Sequence, residues 1–165
     1  MNVSEAIKTK RAVRMFKQEP VPQEVMEQIL EAGRRSQSSK NSQPWQFIVI
    51  RERERLTALS QMGKFAGHIA GAAFAVVLVG AQSSLWNSFD LGQACAYLQL
   101  AAWELGVGTC IATIYDEAEA KALLGVPDEM SCYVALSFGY PAPDFVPAQM
   151  GGRRALSDVV RWEKW

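Results

Sequence analysis

The sequence predicts an α+β fold in a single domain that spans residues 1–165. Some stretches carry apolar residues at three- and four-residue steps, typical of helices, and others are short apolar runs typical of strands. The two kinds of segment mix along the chain without the strict alternation of a doubly wound parallel sheet. A chain of 165 residues is long enough to bury one core without a covalent staple.

The helices and strands follow from this periodicity and from the residues that interrupt it. The expected elements, in chain order, are a helix over residues 3–9, a helix that begins near Pro22, a loop over 35–43, a strand over 46–50, a short helix over 51–59, a strand over 72–80, a helix over 89–105, a strand over 109–114, a helix over 117–124 and a strand over 132–138. Asn2 and Glu5 form a capping-box pattern at the start of the first helix. Pro22 suits the first turn of the second helix.

Residues 89–105 form the clearest helix of the chain. Its apolar residues recur at helical steps, namely Leu91, Ala94, Cys95, Leu98, Ala101, Ala102 and Leu105. Gly106 and Gly108 end it. Because the helix is apolar nearly all round, we expect it to be central or to lie in an interface. The tail after residue 149 ends in an amphipathic stretch with Trp162 and Trp165, which we expect to dock, with a second subunit as one candidate.

Composition and charge exclude several classes of function. Lys plus Arg equals Asp plus Glu at 17 each, so the basic excess typical of nucleic-acid binding is absent. The three cysteines form no CxxC pair, which argues against a disulfide framework or a zinc site and favours a reducing cytoplasm. The longest apolar run, over 69–79, is too short to span a bilayer, and the N-terminus lacks the apolar core of a signal peptide.

Two polar segments carry the chemistry. Lys10, Arg11 and Arg14 lie within five residues and offer the forked and point-charge donors that bind phosphate, although a solvated basic loop has the same composition. The second segment runs over residues 37–43, with seven hydrogen-bonding side chains directly before Pro44 and Trp45. Such a segment suits a binding loop or a simple polar connection.

The order and spacing of the two segments resemble the nitroreductase family. The family's first motif, Arg-Arg-Ser-x-Arg-x-Phe, compares with KRAVRMF at 10–16, and its second, Ala-Pro-Ser-x-x-Asn-x-Gln-Pro-Trp-x-Phe, compares with SQSSKNSQPWQF at 36–47. Further landmarks are LAAWELGVGTC at 100–110, LLGVP at 123–127, FGYP at 138–141 and RRALSDVVRW at 153–162. The resemblance therefore covers nearly the whole chain, and the second motif is the most specific part of it.

The resemblance implies a three-layer fold, with a mixed, mainly antiparallel sheet flanked by helices, in an interlocked homodimer that binds FMN at the subunit interface. Lys10, Arg11 and Arg14 would contact the phosphate, the ribityl chain or the pyrimidine edge, and Ala12 would offer its backbone alone. The residues implied to reach the flavin from the other subunit are Gln37, Ser38, Ser39 and Asn41, with Gln43 supporting that loop. Ile111, Thr113 and Ile114 would run past the ring, and Arg153 with Arg154 would complete the phosphate site.

The implied activity is hydride transfer from NADH or NADPH through FMN to a small acceptor such as a nitroaromatic or a quinone, by ping-pong kinetics. The flavin N5 would supply the chemistry, so no catalytic side chain and no metal is expected. The residues agree, since His68 is the only histidine and the chain has no GxSxG, GxGxxG or Walker A motif. Dehalogenation or flavin cleavage on the same site, a non-catalytic flavin carrier, and a nucleotide-binding module without flavin remain as alternatives.

Overall fold

The computed structural model describes residues 1–81, 85–148 and 152–165. Its helices are α1 (Val3–Thr9), α2 (Gln23–Arg34), α3 (Arg53–Ser60), α4 (Leu85–Glu104), α5 (Glu117–Leu124) and α6 (Leu156–Val159). Its strands are β1 (Trp45–Ile50), β2 (Phe74–Ala81), β3 (Gly108–Thr113) and β4 (Met130–Gly139). Single 3₁₀ turns lie at Ser39–Asn41 and Gly67–Ile69.

The strands form one antiparallel sheet in the order β1-β2-β4-β3. β2 is central and buried over residues 74–80, as its continuous run of apolar side chains predicts. β3 pairs with β4 on one side and forms an edge of the sheet on the other. This edge is where the functional site is built.

Helices cover both faces of the sheet and produce three layers. On one face, α3, the Gly67–Ile69 turn and α5 pack on a core that includes Leu56, Ile69 and Ala120. On the other face, α2 and α4 pack on a core that includes Ile29, Leu98 and the stacked rings of Phe74 and Phe138, whose centroids lie 4.5 Å apart. The predicted fold class, with a mainly antiparallel sheet flanked by helices, is confirmed.

The boundaries of α4 differ from the prediction. The helix begins at Leu85, four residues before the predicted start at 89. Leu85, Trp86 and Phe89 are exposed in the single chain, so they do not take part in the apolar periodicity that marks the rest of the helix. The buried residues of α4 begin at Asp90, which is why the pattern alone placed the start too late.

The ends of other helices match the chemistry of their residues. Asn2 accepts a hydrogen bond from the Glu5 backbone N–H at 2.9 Å, which is the predicted cap of α1. Gly125 ends α5 with φ of 68°, in the left-handed region that glycine adopts at low cost. Among the described residues, no helix is both long enough and apolar enough to cross a membrane.

Gly63 is a position where the fold requires the absence of a side chain, because a Cβ there would lie 2.2 Å from the carbonyl oxygen of Thr113 on β3. We expect Gly63→Ala to lower the free energy of unfolding by about 1–3 kcal/mol, the usual cost of overpacking a tight site. Urea unfolding measures this. Gly67→Ala is the matched control, since its Cβ would meet nothing within 4 Å, and equal stability of the two variants would contradict the tight contact.

Candidate functional site at the outer edge of the sheet

The basic turn runs along the outer edge of β3. Ala12 forms a parallel bridge with Thr109, and the Val13 N–H donates to the Thr109 carbonyl at 2.9 Å. The side chains of Val13 and Phe16 are buried beside Ala72. These buried anchors and the bond to Thr109 fix the backbone of the turn, while the side chains of Arg11 and Arg14 are exposed.

Lys10 is the cation of this turn that lies partly buried. Its Nζ donates to the Oε1 of Gln99, a residue of α4 that is 8% exposed. No carboxylate of the described residues lies within ion-pair distance of Lys10. Burial lowers the pKa of Lys10, although two neighbouring thiols act in the opposite direction. An amine in this setting is stabilised by an anion that enters from outside the chain.

The two thiols near Lys10 do not supply that anion. Cys95 lies on α4 and Cys110 on β3, and both are buried and free of disulfides. Burial raises the pKa of each thiol above its usual value. Both therefore stay protonated at neutral pH, and the positive charge of Lys10 has no counter-charge among the described residues.

Arg14 and His68 form a second polar group beside the same edge. The His68 Nδ1 lies 2.8 Å from the Ser137 Oγ, while its Nε2 is buried and has no hydrogen-bond partner in the described part of the chain. Burial lowers the pKa of His68, and the positive charge of Arg14 lowers it further, against a smaller opposite effect of the Ile111 carbonyl. A neutral imidazole thus lies near the positive charge of Arg14, whose side chain is exposed.

Between its two ends, the outer edge of β3 is open. The basic turn covers the edge at Thr109, and the Met62 carbonyl accepts from the backbone N–H groups of Tyr115 and Asp116. Ile111 lies between these contacts and is 47% exposed. Thr113 is exposed as well. The side chain of Ile114 lies in the core and its backbone N–H donates to the Tyr133 carbonyl at 2.8 Å, so neither group is free for the expected contact with a ring.

The polar segment at 37–43 adopts an uncommon backbone conformation. Lys40, Asn41 and Gln43 have φ angles of 53°, 55° and 49°, and each such residue costs about 1–2 kcal/mol when it is not glycine. The Gln43 N–H donates to the Ser38 Oγ at 3.0 Å, and the Gln43 side chain donates to the Asn41 carbonyl at 3.4 Å. Gln43 therefore supports the loop from within, while the side chains of Gln37, Ser39 and Asn41 are exposed and that of Ser38 is partly buried.

The single chain does not bring the basic turn and the polar loop together. The loop is attached to α4 at Asp90 and Gln93, whereas Lys10 is attached to α4 at Gln99. Asp90 and Gln99 are nine residues apart, which corresponds to roughly 13 to 14 Å along a helix. The two segments thus occupy different ends of α4.

Arg153 and Arg154 are not placed in the site by any described contact. Both are exposed, and Arg154 donates to the Asp158 carbonyl at 2.7 Å within its own segment. Arg153 forms no ion pair with a described residue. Their expected role at a phosphate is therefore not supported by contacts within one copy of the chain.

A cleft of about 730 Å³ lies between α4 and the β2, β3 and β4 strands. Gln99, Ile111 and Cys95 contribute to its wall, so it reaches the edge at which Lys10 and Arg14 lie. Its size falls within the range of small-molecule sites, roughly 300–1,000 Å³. Among the described residues, no group of three His, Cys, Asp or Glu side chains is placed to hold a metal ion.

The sequence profile of the nitroreductase family matches residues 7–74 and 58–140. A protein of Methanothermobacter thermautotrophicus, provisionally named as an NADH dehydrogenase/NAD(P)H nitroreductase, is 32% identical over 100% of this chain and 88% of its own length. The chain belongs to the nitroreductase family. The resemblance drawn from the motifs at 10–16 and 36–47 is thereby confirmed.

Other members of the nitroreductase family extend this comparison. A solved structure of an FMN-dependent nitroreductase from Clostridium difficile has a TM-score of 0.88 and 26% identity, and the match covers 99% of this chain and 100% of that one. An iodotyrosine deiodinase of Thermotoga neapolitana is 25% identical over 81% of this chain and 86% of its own length. Proteins named for different reactions are therefore similar to this chain over most of its length.

Three residues of the site were not among those expected from the sequence. Gln99 holds Lys10, Asp90 holds the polar loop, and His68 lies beside Arg14. Asp90 and Gln99 stand out in the sequence as polar residues in an apolar helix, and His68 stands out as the single histidine. Their partners are 51 to 89 residues away along the chain, so local patterns could not reveal what they contact.

The lowered pKa of His68 predicts how the free energy of unfolding depends on pH. Its folded-state pKa lies below the ordinary value of 6.5, so the unfolded chain binds a proton at a higher pH than the folded chain does. We expect the free energy of unfolding to decrease as pH falls from about 6.5 towards the folded pKa, and His68→Gln to remove that decrease. Urea unfolding at several pH values measures it, and NMR titration of this single imidazole gives the pKa directly. A titration at or above 6.5 would contradict the buried neutral ring.

Proposed function

We propose that this chain is an FMN-dependent oxidoreductase that takes hydride from NADH or NADPH and reduces small acceptors of the nitroaromatic or quinone type. The observation that carries the proposal is the partly buried Lys10, which no described carboxylate compensates, beside Arg14 at an open strand edge. The family membership and the FMN-dependent nitroreductase of closely similar fold support the same cofactor and reaction class.

The residues present fit a flavin mononucleotide in charge and in shape. A phosphate group carries about two negative charges at neutral pH, and Lys10, Arg11 and Arg14 offer three cations within one turn. Ala12 can take part only through its main chain, which already forms the bridge to Thr109. Ile111 and Thr113 lie on a strand edge of the kind that can pair with polar atoms along the rim of a ring, whereas the Ile114 N–H already donates to the Tyr133 carbonyl at 2.8 Å.

When bound, FMN would supply hydride acceptance and electron transfer, which no side chain of this site can perform. The role of the protein is to hold and orient the cofactor and to set its electrostatic environment. Lys10 or Arg14 would stabilise the reduced state if it lay beside the pyrimidine edge of the ring, where reduction adds negative charge. Because one cleft adjoins the edge, the nicotinamide and the acceptor would occupy the same space in turn, which gives ping-pong kinetics.

We propose that the functional unit is a homodimer. Trp86 and Phe89 on α4 and Trp162 and Trp165 in the C-terminal segment are exposed in the single chain, and a second copy would bury them. In such a dimer the polar loop of one copy, through Gln37, Ser38, Ser39 and Asn41, would reach the flavin held by the basic turn of the other. Arg153 and Arg154 would complete the phosphate site in the assembled dimer.

Reductive dehalogenation is the second candidate. It is favoured by the similarity to the iodotyrosine deiodinase over 81% of this chain. Both activities would use the same flavin and the same cations, so the residues described above do not separate them. Comparing the turnover of an iodinated phenol with that of a nitroaromatic under equal conditions would separate the two activities.

The decisive test of the proposed function is anaerobic reduction of the purified protein. We expect the protein to be yellow and to bleach when NADH or NADPH is added in a stopped-flow instrument, and the colour to return when a quinone or nitroaromatic follows. A yellow protein that neither nicotinamide bleaches would be a flavin carrier. Colourless protein that does not take up added FMN would contradict the proposal as a whole.

Lys10→Met tests the role of the buried cation. It removes the charge and keeps an apolar chain, so we expect the Kd for FMN to rise about tenfold or more, the usual loss for a charged hydrogen bond. Without FMN, the thermal midpoint should stay equal or rise, because a desolvated unpaired charge has been removed. Fluorescence titration and thermal unfolding measure the two effects.

Lys8→Met is the matched control, since Lys8 is an exposed lysine on α1 two residues upstream. Its FMN affinity should equal that of the unchanged chain. If Lys10→Met and Lys8→Met bind FMN equally well, Lys10 has no part in holding the cofactor.

A further inference from the structure

Asp90 is a buried carboxylate that pairs with no described cation. It lies on α4 with 2% of its surface exposed, and no Lys or Arg of the described residues is within ion-pair distance. Its Oδ2 accepts a hydrogen bond from the Ser39 backbone N–H at 3.0 Å, and its Oδ1 accepts one from the Gln93 side chain at 3.4 Å. Burial of a carboxylate costs free energy unless hydrogen bonds or a cation compensate its charge.

The segment that Asp90 holds is the strained polar loop at 37–43. Within the loop, the Ser38 Oγ and carbonyl accept from the Gln43 and Asn41 N–H groups, both at 3.0 Å. From outside the loop, the described side-chain contacts are those of Asp90 with Ser39 and of Gln93 with the Gln37 carbonyl, the latter at 3.5 Å. The shorter and charge-assisted contact is the one from Asp90.

We infer that Asp90 is a positioning residue for the polar loop, which it fixes by accepting a hydrogen bond from the Ser39 N–H. The bond fixes the position of Ser39 relative to α4. The residues with positive φ at 40, 41 and 43 then follow in a defined conformation. The amide and hydroxyl groups of the loop are thereby presented to the flavin before it binds. This inference rests on the proposed function, since the flavin is the ligand that the loop would meet.

The position of Asp90 on α4 explains why its hydrogen bond to Ser39 affects the site. Gln93, one turn further along the helix, donates to Asp90 and also to the Gln37 carbonyl, so the two α4 side chains hold the loop at residues 37 and 39. The same helix holds Lys10 through Gln99. In the proposed dimer, a shift of the loop relative to α4 would therefore change where the loop of one copy meets the flavin held by the basic turn of the other.

The experiment compares Asp90→Ala, which removes the acceptor, with Asp90→Asn, which keeps one oxygen in its place. The control is Asp116→Ala, since Asp116 is an exposed residue whose side chain makes no capping bond. We expect Asp90→Ala to raise the Kd for FMN at least tenfold, Asp90→Asn to stay within about threefold of the unchanged chain, and Asp116→Ala to have no effect. Fluorescence titration with FMN measures the affinities.

Amide hydrogen exchange in the absence of FMN reports on the loop itself. In Asp90→Ala the amides of Ser39, Asn41 and Gln43 should exchange faster, while those of the central strand β2 keep their protection. A merely structural role would instead lower protection throughout the chain. Unchanged FMN affinity and unchanged loop exchange in a folded Asp90→Ala protein would overturn the inference, as would an Asp90→Asn variant that is as impaired as Asp90→Ala.

Ser39→Pro removes the same hydrogen bond from the donor side. If Asp90→Ala does not fold, this variant tests whether the bond positions the loop. Proline suits this position, because Ser38 has the extended conformation (φ −145°, ψ 153°) that a following proline requires and Ser39 opens a 3₁₀ turn. Ser39→Ala is its control for the lost hydroxyl. The loop amides at 41 and 43 should exchange faster in Ser39→Pro than in Ser39→Ala, and equal exchange would overturn the inference.

The same measurements separate this inference from the proposed function. If the unchanged chain does not bind FMN, the proposed function fails, and the exchange of the loop amides still decides whether Asp90 positions the loop. If the unchanged chain binds FMN and the Asp90 and Ser39 variants bind it equally well, the proposed function stands and the positioning role is wrong.

Discussion

Positive charge that the described residues do not neutralise organises the outer edge of the sheet. Some cations elsewhere on the surface meet carboxylates, and Glu31 lies 2.6 Å from Arg34 and 2.7 Å from Arg35. Lys10 instead donates to the neutral amide of Gln99 near two protonated thiols, and the imidazole near Arg14 is neutral. Because burial of an unpaired cation is unfavourable, this edge is more stable with an anion than without one. A phosphate-bearing cofactor meets that requirement, and the rest of the site is arranged around it.

Helix α4 is the scaffold that gives the site its dimensions. Its apolar residues, such as Leu98 and Ala102, bury it against the sheet and α2. Its polar side chains instead hold the binding segments, since Gln99 and Trp103 contact the basic turn and the end of α1, while Asp90 and Gln93 contact the polar loop. Since a packed helix is rigid, the separation of the two segments is fixed by the number of residues between these contacts. In the single chain the two segments therefore contact different stretches of α4, and this separation supports the proposal of a second copy.

The sequence predicted the elements well where burial is periodic or continuous, and poorly where it is not. The strand at β2 and the core of α4 follow from apolar patterns, and the cap at Asn2 follows from local hydrogen-bond chemistry. The start of α4 was wrong because Leu85 and Trp86 are exposed in the single chain. The motif at 10–16 lies along the edge of the sheet, a position that the sequence did not predict, and the side chain of Ile114 lies in the core. Asp90, Gln99 and His68 could not be assigned because each acts through a partner far away in the sequence.

Several unfavourable features of this chain collect along one helix. Left-handed residues at 40, 41 and 43, a desolvated lysine at 10 and a buried carboxylate at 90 that no described cation pairs all lie on or beside α4. On the opposite face of the sheet, by contrast, the partly buried Glu117 is matched by Lys121 at 3.9 Å and by the Cys132 N–H at 2.9 Å. Strain and unpaired charge persist only where the surrounding structure or a ligand offsets them. The free chain is therefore less stable than its core would allow, and a cofactor and a second copy that contact these groups would stabilise the fold as they complete the site.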